Sequence, residues 1–181
     1  MDVPCGGCTA CCTSSQFVHI GPDETDTLAR IPPELLFPAP RAPAGHVVLG
    51  YDERGHRPMV VGDRCSIYEH RPRACRTYDC RVFAAAGLDP GDDPGKGAIA
   101  RQVGRWRFSD EHGAVRAAAA FLQANRERLP AGSVPDNVTQ LAALAVQVSE
   151  AFLVRDEDTG RVSVVEPELA AVGRLLRPSP G

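Results

Sequence analysis

Hydrophobic and polar positions alternate in short bursts through the first half of the chain and recur at helical spacing through the second. Gln16-Phe17-Val18-His19-Ile20 alternates loosely and predicts a short strand. Gly21-Pro22-Asp23-Glu24 opens a helix that should run to Pro32-Pro33, with proline near the first helical position and the acids at the positive end of the dipole. Three prolines between Pro38 and Ala44 mark an exposed loop. His46 to Tyr51, Pro58 to Val61 and Cys65 to Tyr68 predict three strands of a small antiparallel meander, with turns at Asp52–Gly55 and Gly62–Arg64. Pro72 starts a short helix, and Arg81 to Ala86 forms another that Gly87 stops.

Leu88 to Gly97 is rich in Gly, Pro and Asp and reads as a linker. Beyond it Ser109 is a candidate N-cap, with Asp110 and Glu111 in the first turn. Val115, Ala118, Leu122 and Leu129 form one apolar stripe. Pro135-Asp136 opens a further helix with Val138, Leu141, Ala145, Val148 and Phe152 on one face. A turn at Asp158-Thr159-Gly160 precedes a strand-like Arg161 to Val165, and Pro167 to Leu176 reads as a last short helix. The class expected is α+β: residues 1–88 a cysteine-rich region with the meander, and residues 98–177 a mainly helical region packed on it as one domain.

Composition narrows the picture. At 181 residues with 43% hydrophobic positions, the chain can bury a core. The apolar run from Leu141 to Val146 is too short for a membrane span, and no basic-then-apolar leader precedes Cys5, so a cytoplasmic location is expected. Seven arginines between Arg54 and Arg81 face only Asp63, Glu69 and Asp79. They suit a cationic shell around an anionic centre, or a nucleic-acid patch. Lys96 is the only lysine, however, so arginine-rich usage throughout explains them equally well, and a nucleic-acid partner is disfavoured.

The cysteines carry the chemistry. Cys5, Cys8, Cys11 and Cys12 fall within eight residues; Cys65, Cys75 and Cys80 follow, and the second half has none. Clustered thiols of odd number in a reducing compartment point to metal ligation rather than to disulfides. Two-residue spacings let neighbouring sulfurs face one ion or cluster, and Gly6-Gly7 allows a tight turn. Neither cluster is complete alone, so the two should meet in space. On one continuous helix Cys75 and Cys80 would point about 140° apart, so if they share a site the helix must end between Tyr78 and Cys80. Cys5, Cys8 and Cys11 suit an iron–sulfur cluster, whereas four thiolates, or three and an imidazole, suit zinc. The CxxCxxC spacing tips the balance towards iron–sulfur, with Cys12 turned to a second site.

Cys5-x2-Cys8-x2-Cys11-Cys12, followed by Cys65-Ser66-Ile67-Tyr68-x2-Arg71-Pro72-x2-Cys75-Arg76-x-Tyr78-x-Cys80, resembles the YkgJ-type cysteine-cluster family over roughly residues 1 to 88. That resemblance implies a zinc- or iron-chelating domain; a flagellin lysine methylase carries a similar cysteine set. The family has a further cysteine before the second block, where Arg57 stands here. His56 could supply an imidazole instead, although the alternating strand pattern, which sends neighbours to opposite faces, favours a turn-exposed histidine with no metal. A guanidinium repels a metal cation, so Arg57 is expected to point to solvent or to Glu53.

Other side chains add less. Arg71, Arg73 and Arg76 could bond sulfur or an anionic substrate, or pair with Glu69 and Asp79 at the surface. Tyr68, Tyr78, Trp106 and Phe108 read as packing residues, and His19, His46, His70 and His112 lack a ligand-spaced partner. No GxGxxG, P-loop or GxSxG motif occurs. Three readings follow: a protein that holds or transfers metal or electrons, a metal-dependent group-transfer enzyme of methylase type, and a structural zinc module for protein interaction. Substrate and protein partner are not legible.

Overall fold

A computed structural model describes residues 7–106 and 113–177. Short strands and helices alternate through most of the chain. Among the described residues seven strands run β1 (Val18–Ile20), β2 (Leu36–Pro38), β3 (Val47–Leu49), β4 (Val60–Val61), β5 (Arg64–Cys65), β6 (Leu153–Arg155) and β7 (Val162–Val164). The helices are α1 (Thr25–Leu28), α2 (Arg73–Thr77), α3 (Arg81–Ala86), α4 (Gly97–Val103), α5 (Gly113–Ala124), α6 (Val138–Val148) and α7 (Leu169–Leu175). The class is α+β with small antiparallel sheets. No helix among the described residues is long and apolar enough to cross a membrane.

The chain divides into two units. One takes residues up to Asp79 together with Gly91–Gln102; the other takes Cys80–Pro90 and everything from Val103 onward. The division therefore places the short helix α3 with the C-terminal helices, and the Gly/Pro/Asp-rich segment partly with the cysteines.

In the first unit the expected meander is replaced by a different pairing. β3 lies between β1 and β2, antiparallel to both, with Val18 and Leu36 each opposite Leu49. β4 and β5 pair only with each other, over two residues each. The partner missed from sequence is β2, whose last residue, Pro38, leads into the proline-rich loop: proline at a strand end needs no ladder N–H on an outer strand. Val18, Ile20, Ile31, Leu49 and Ile67 make the core, and Cys65, Cys75 and Met59 pack against its edge. The predicted long helix shrinks to the single turn of α1. The Thr27 hydroxyl donates to the His70 carbonyl, tying this turn to the cysteine block.

The expected linker is ordered rather than loose. Two 3-10 turns, Pro90–Asp92 and Pro94–Lys96, lead into α4. Asp93 caps the second turn by accepting from the Gly95 N–H, and it pairs with Lys96, whose side chain is almost wholly buried. Within the first unit the Ile99 N–H donates to the buried Ser14 hydroxyl, docking α4 just behind the cysteine turn.

In the second unit α3 packs on both α5 and α6. Ala118 and Leu122 of α5 are buried, as are Leu141, Ala145 and Val148 of α6 and Phe152 just beyond it, as their spacing predicted. Phe121 meets Phe152 edge to face, centroids 5.5 Å apart. Asn137 caps α6 by accepting from the Thr139 and Gln140 N–H groups. Gly87 ends α3 at a φ of +68°, where the Arg116 stem leaves little room for a Cβ. The predicted N-cap at Ser109, with Asp110 and Glu111, lies outside the described residues, as do Phe108 and His112.

Candidate metal centre

The cysteines fall in both units. Cys8, Cys11, Cys12, Cys65 and Cys75 belong to the first, and Cys80 to the second, at the N-terminal cap of α3. All six are half-buried, and no disulfide joins any two of them. Cys5 lies outside the described residues.

Cys12 sits on the 3-10 turn Ala10–Thr13, which the Cys12 and Thr13 N–H groups close onto the Thr9 carbonyl. The chain then runs beside the turn at Asp52–Arg57. The Ser15 N–H donates to the Gly55 carbonyl, and the Arg57 N–H donates to the Cys12 carbonyl at 2.9 Å. Gly55 is required there: its φ is +78°, and a Cβ would lie 2.2 Å from the Ser15 hydroxyl oxygen. Asp52 shapes the turn by accepting from the Arg54 and His56 N–H groups. These bonds, the His56 N–H foremost and then the Arg54 guanidinium, hold its carboxyl below the ordinary range.

The second block is anchored from the opposite side. Pro72 caps α2, and the buried Glu24 carboxylate accepts from the Arg73 N–H at the start of that helix and from the Gly21 N–H. The Arg73 guanidinium pairs with Asp23, not with Glu69 or Asp79. α2 ends at Thr77, before Cys80 as the spacing required. Arg71 stacks over the Tyr68 ring, 4.1 Å from its centroid, and donates to the Tyr68 carbonyl.

These two frames bring Cys12 and Cys75 to one guanidinium. Arg57 Nη1 lies 3.5 Å from Cys75 Sγ and 3.9 Å from Cys12 Sγ, and Nε donates to the Gln16 carbonyl. The expectation that Arg57 faces solvent or Glu53 is overturned: the residue is 8% exposed. Its backbone N–H is committed to the N-terminal turn, so the side chain is carried inward. No carboxylate pairs with it among the described residues. The neighbouring His56 is half-buried, and its backbone is held by Asp52.

Burial pushes the Cys75 thiol up to about 11. The nearby thiols of Cys12 and Cys65 act in the same direction, while Arg57 and Arg71 oppose them. Cys12, Cys65 and Cys75 thus share one electrostatic neighbourhood. A surface cavity of about 600 Å³ opens beside Cys65, lined by Arg30, Tyr68, Glu69 and His70.

The donor set suits a soft or borderline metal, since thiolates are the natural ligands of zinc and of iron–sulfur clusters. Among the described residues, however, no three His, Cys, Asp or Glu side chains are already placed to hold an ion. The inward placement of Arg57 was missed from sequence, where its charge argued for a solvent-facing side chain. Comparison with protein-family models, with curated proteins and with solved structures found no match to the chain.

Proposed function

We propose that the first unit is a metal-binding module of the cysteine-cluster type, as its resemblance to the YkgJ-type family suggests. The observation that carries this reading is the convergence of Cys12 and Cys75, which are far apart in sequence, on one buried guanidinium, with Cys65 close by. Cys12, Cys65 and Cys75 would hold zinc or an iron–sulfur centre, with further thiolates drawn from Cys5, Cys8 and Cys11 of the same unit. When bound, zinc supplies Lewis acidity or a structural tie, and an iron–sulfur centre supplies a one-electron couple.

The chain's own contribution is positioning. Glu24 and Asp23 fix the helix that carries Cys75, and the Gly55 turn fixes Cys12. Strands of two and three residues have little stability of their own, so ligation across them couples metal binding to folding. Anaerobic purification with elemental analysis and an absorption spectrum tests the proposal. The expected result is zinc or iron bound at a fixed ratio per chain, lost in Cys12→Ser and Cys75→Ser. Protein that folds without metal, and shows no uptake on reconstitution, would end this reading.

A further inference from the structure

Arg57 is a buried cation with no carboxylate beside it among the described residues. Taking an uncompensated charge out of water is costly, so a buried guanidinium calls for an anion. Its backbone N–H and its Nε are committed to the Cys12 and Gln16 carbonyls, which leaves Nη1 directed at the sulfurs of Cys12 and Cys75. Neutral thiols are weak acceptors and carry no charge. Metal-bound thiolates are anionic and accept N–H···S bonds readily.

We propose that Arg57 is the positioning residue of the thiolate centre: its guanidinium compensates the anionic metal–thiolate cluster and orients Cys12 and Cys75 by N–H···S bonds. This rests on the metal-binding reading above. Where a cysteine at position 57 would add a negative charge and a ligand, arginine adds a positive charge and donors. The centre therefore lacks that thiolate's negative charge and is partly neutralised by the guanidinium in a half-buried setting. Arg57 is not a ligand and acts only through the two sulfurs.

The test is Co²⁺ titration of the metal-free full chain, read by thiolate-to-cobalt charge-transfer absorption and by competition with a chelator of known affinity. Loss of a partner that orients ligands typically weakens metal binding by about 10- to 100-fold, and Arg57→Met should fall in that range. Arg57→Gln keeps N–H donors without the charge and should weaken binding as well, which covers the case where the methionine variant does not fold. Arg57→Lys, which keeps the charge, should recover most of the affinity. The charge-transfer bands should shift in Arg57→Met and Arg57→Gln, because sulfur loses its charged donor. Wild-type affinity and spectrum in both neutral variants would overturn the role of Arg57 and leave the metal-binding reading intact, even if their metal-free forms melt lower. Wild-type chain that takes up no Co²⁺ would overturn both.

Discussion

The two units reach stability by different physical routes. In the second, α5 and α6 are 12 and 11 residues long, and their buried faces are alanines, leucines and valines around Phe83, Phe121 and Phe152. Burial of apolar surface suffices there. In the first, no strand among the described residues exceeds three residues, and the core rests on Val18, Ile20, Ile31, Leu49 and Ile67. Around that core sit buried Glu24, Arg57 and Lys96 and a set of thiols. A unit that buries charges against so small an apolar core has its stability tied to what satisfies them. Under the proposed function, metal ligation would do so in the first unit, and the apolar core of the second calls for nothing of the kind.

This contrast can be broken most severely in the helical unit. Phe152→Ala removes a fully buried ring that packs edge to face on Phe121, and should cost about 3–5 kcal/mol in denaturant unfolding. That loss should be the same with and without a chelator. A chelator-dependent loss would mean that the helical core also depends on the metal.

The next effect is on the metal-free first unit. Because the folded Cys75 thiol titrates near 11 against an ordinary 9.0, its contribution is fully present below 9.0 and is lost as pH rises towards 11. At about 1.4 kcal/mol per pH unit, metal-free wild-type protein should lose about 2–3 kcal/mol across that window. Cys75→Ala should flatten the alkaline decline. An unchanged decline in that variant would assign it to other groups.

Smaller effects sharpen the comparison between buried and exposed charges within the first unit. Glu24→Gln weakens the charged acceptor at the start of α2 and should cost about 1 kcal/mol by thermal or denaturant melting. Asp23→Asn removes an exposed partner of Arg73 and should change the melting temperature little, the more so at high salt. Equal losses from the two would show that exposure is not what separates them.

How much was legible follows the same division. The faces of α5 and α6, Leu122 and Leu141 to Phe152 among them, could be read from spacing because a long amphipathic helix repeats its signal over several turns. The start of α2 after Pro72 and the end of α3 at Gly87 were legible. The sheet was not, because three-residue strands carry too little alternation to name partners, and β3 pairs with β1 and β2 rather than with β4. The cysteine blocks were visible at once, and their meeting through Cys12 and Cys75 has no local signal. The inward turn of Arg57 was hidden for a further reason. Repulsion from a metal cation argued against it, whereas the proposed thiolate ligands would leave a net negative charge for it to answer.

The central claim is that the first unit is folded around thiolate-bound metal while the second is not. Amide hydrogen exchange of the full chain, before and after removal of metal by a chelator under anaerobic conditions, tests it most directly. The account predicts that protection in β1, β3 and α2 collapses on chelation and returns on adding back zinc or iron, while α5 and α6 stay protected throughout. Equal protection of β1, β3 and α2 in both states, in protein shown by elemental analysis to have lost its metal, would contradict it.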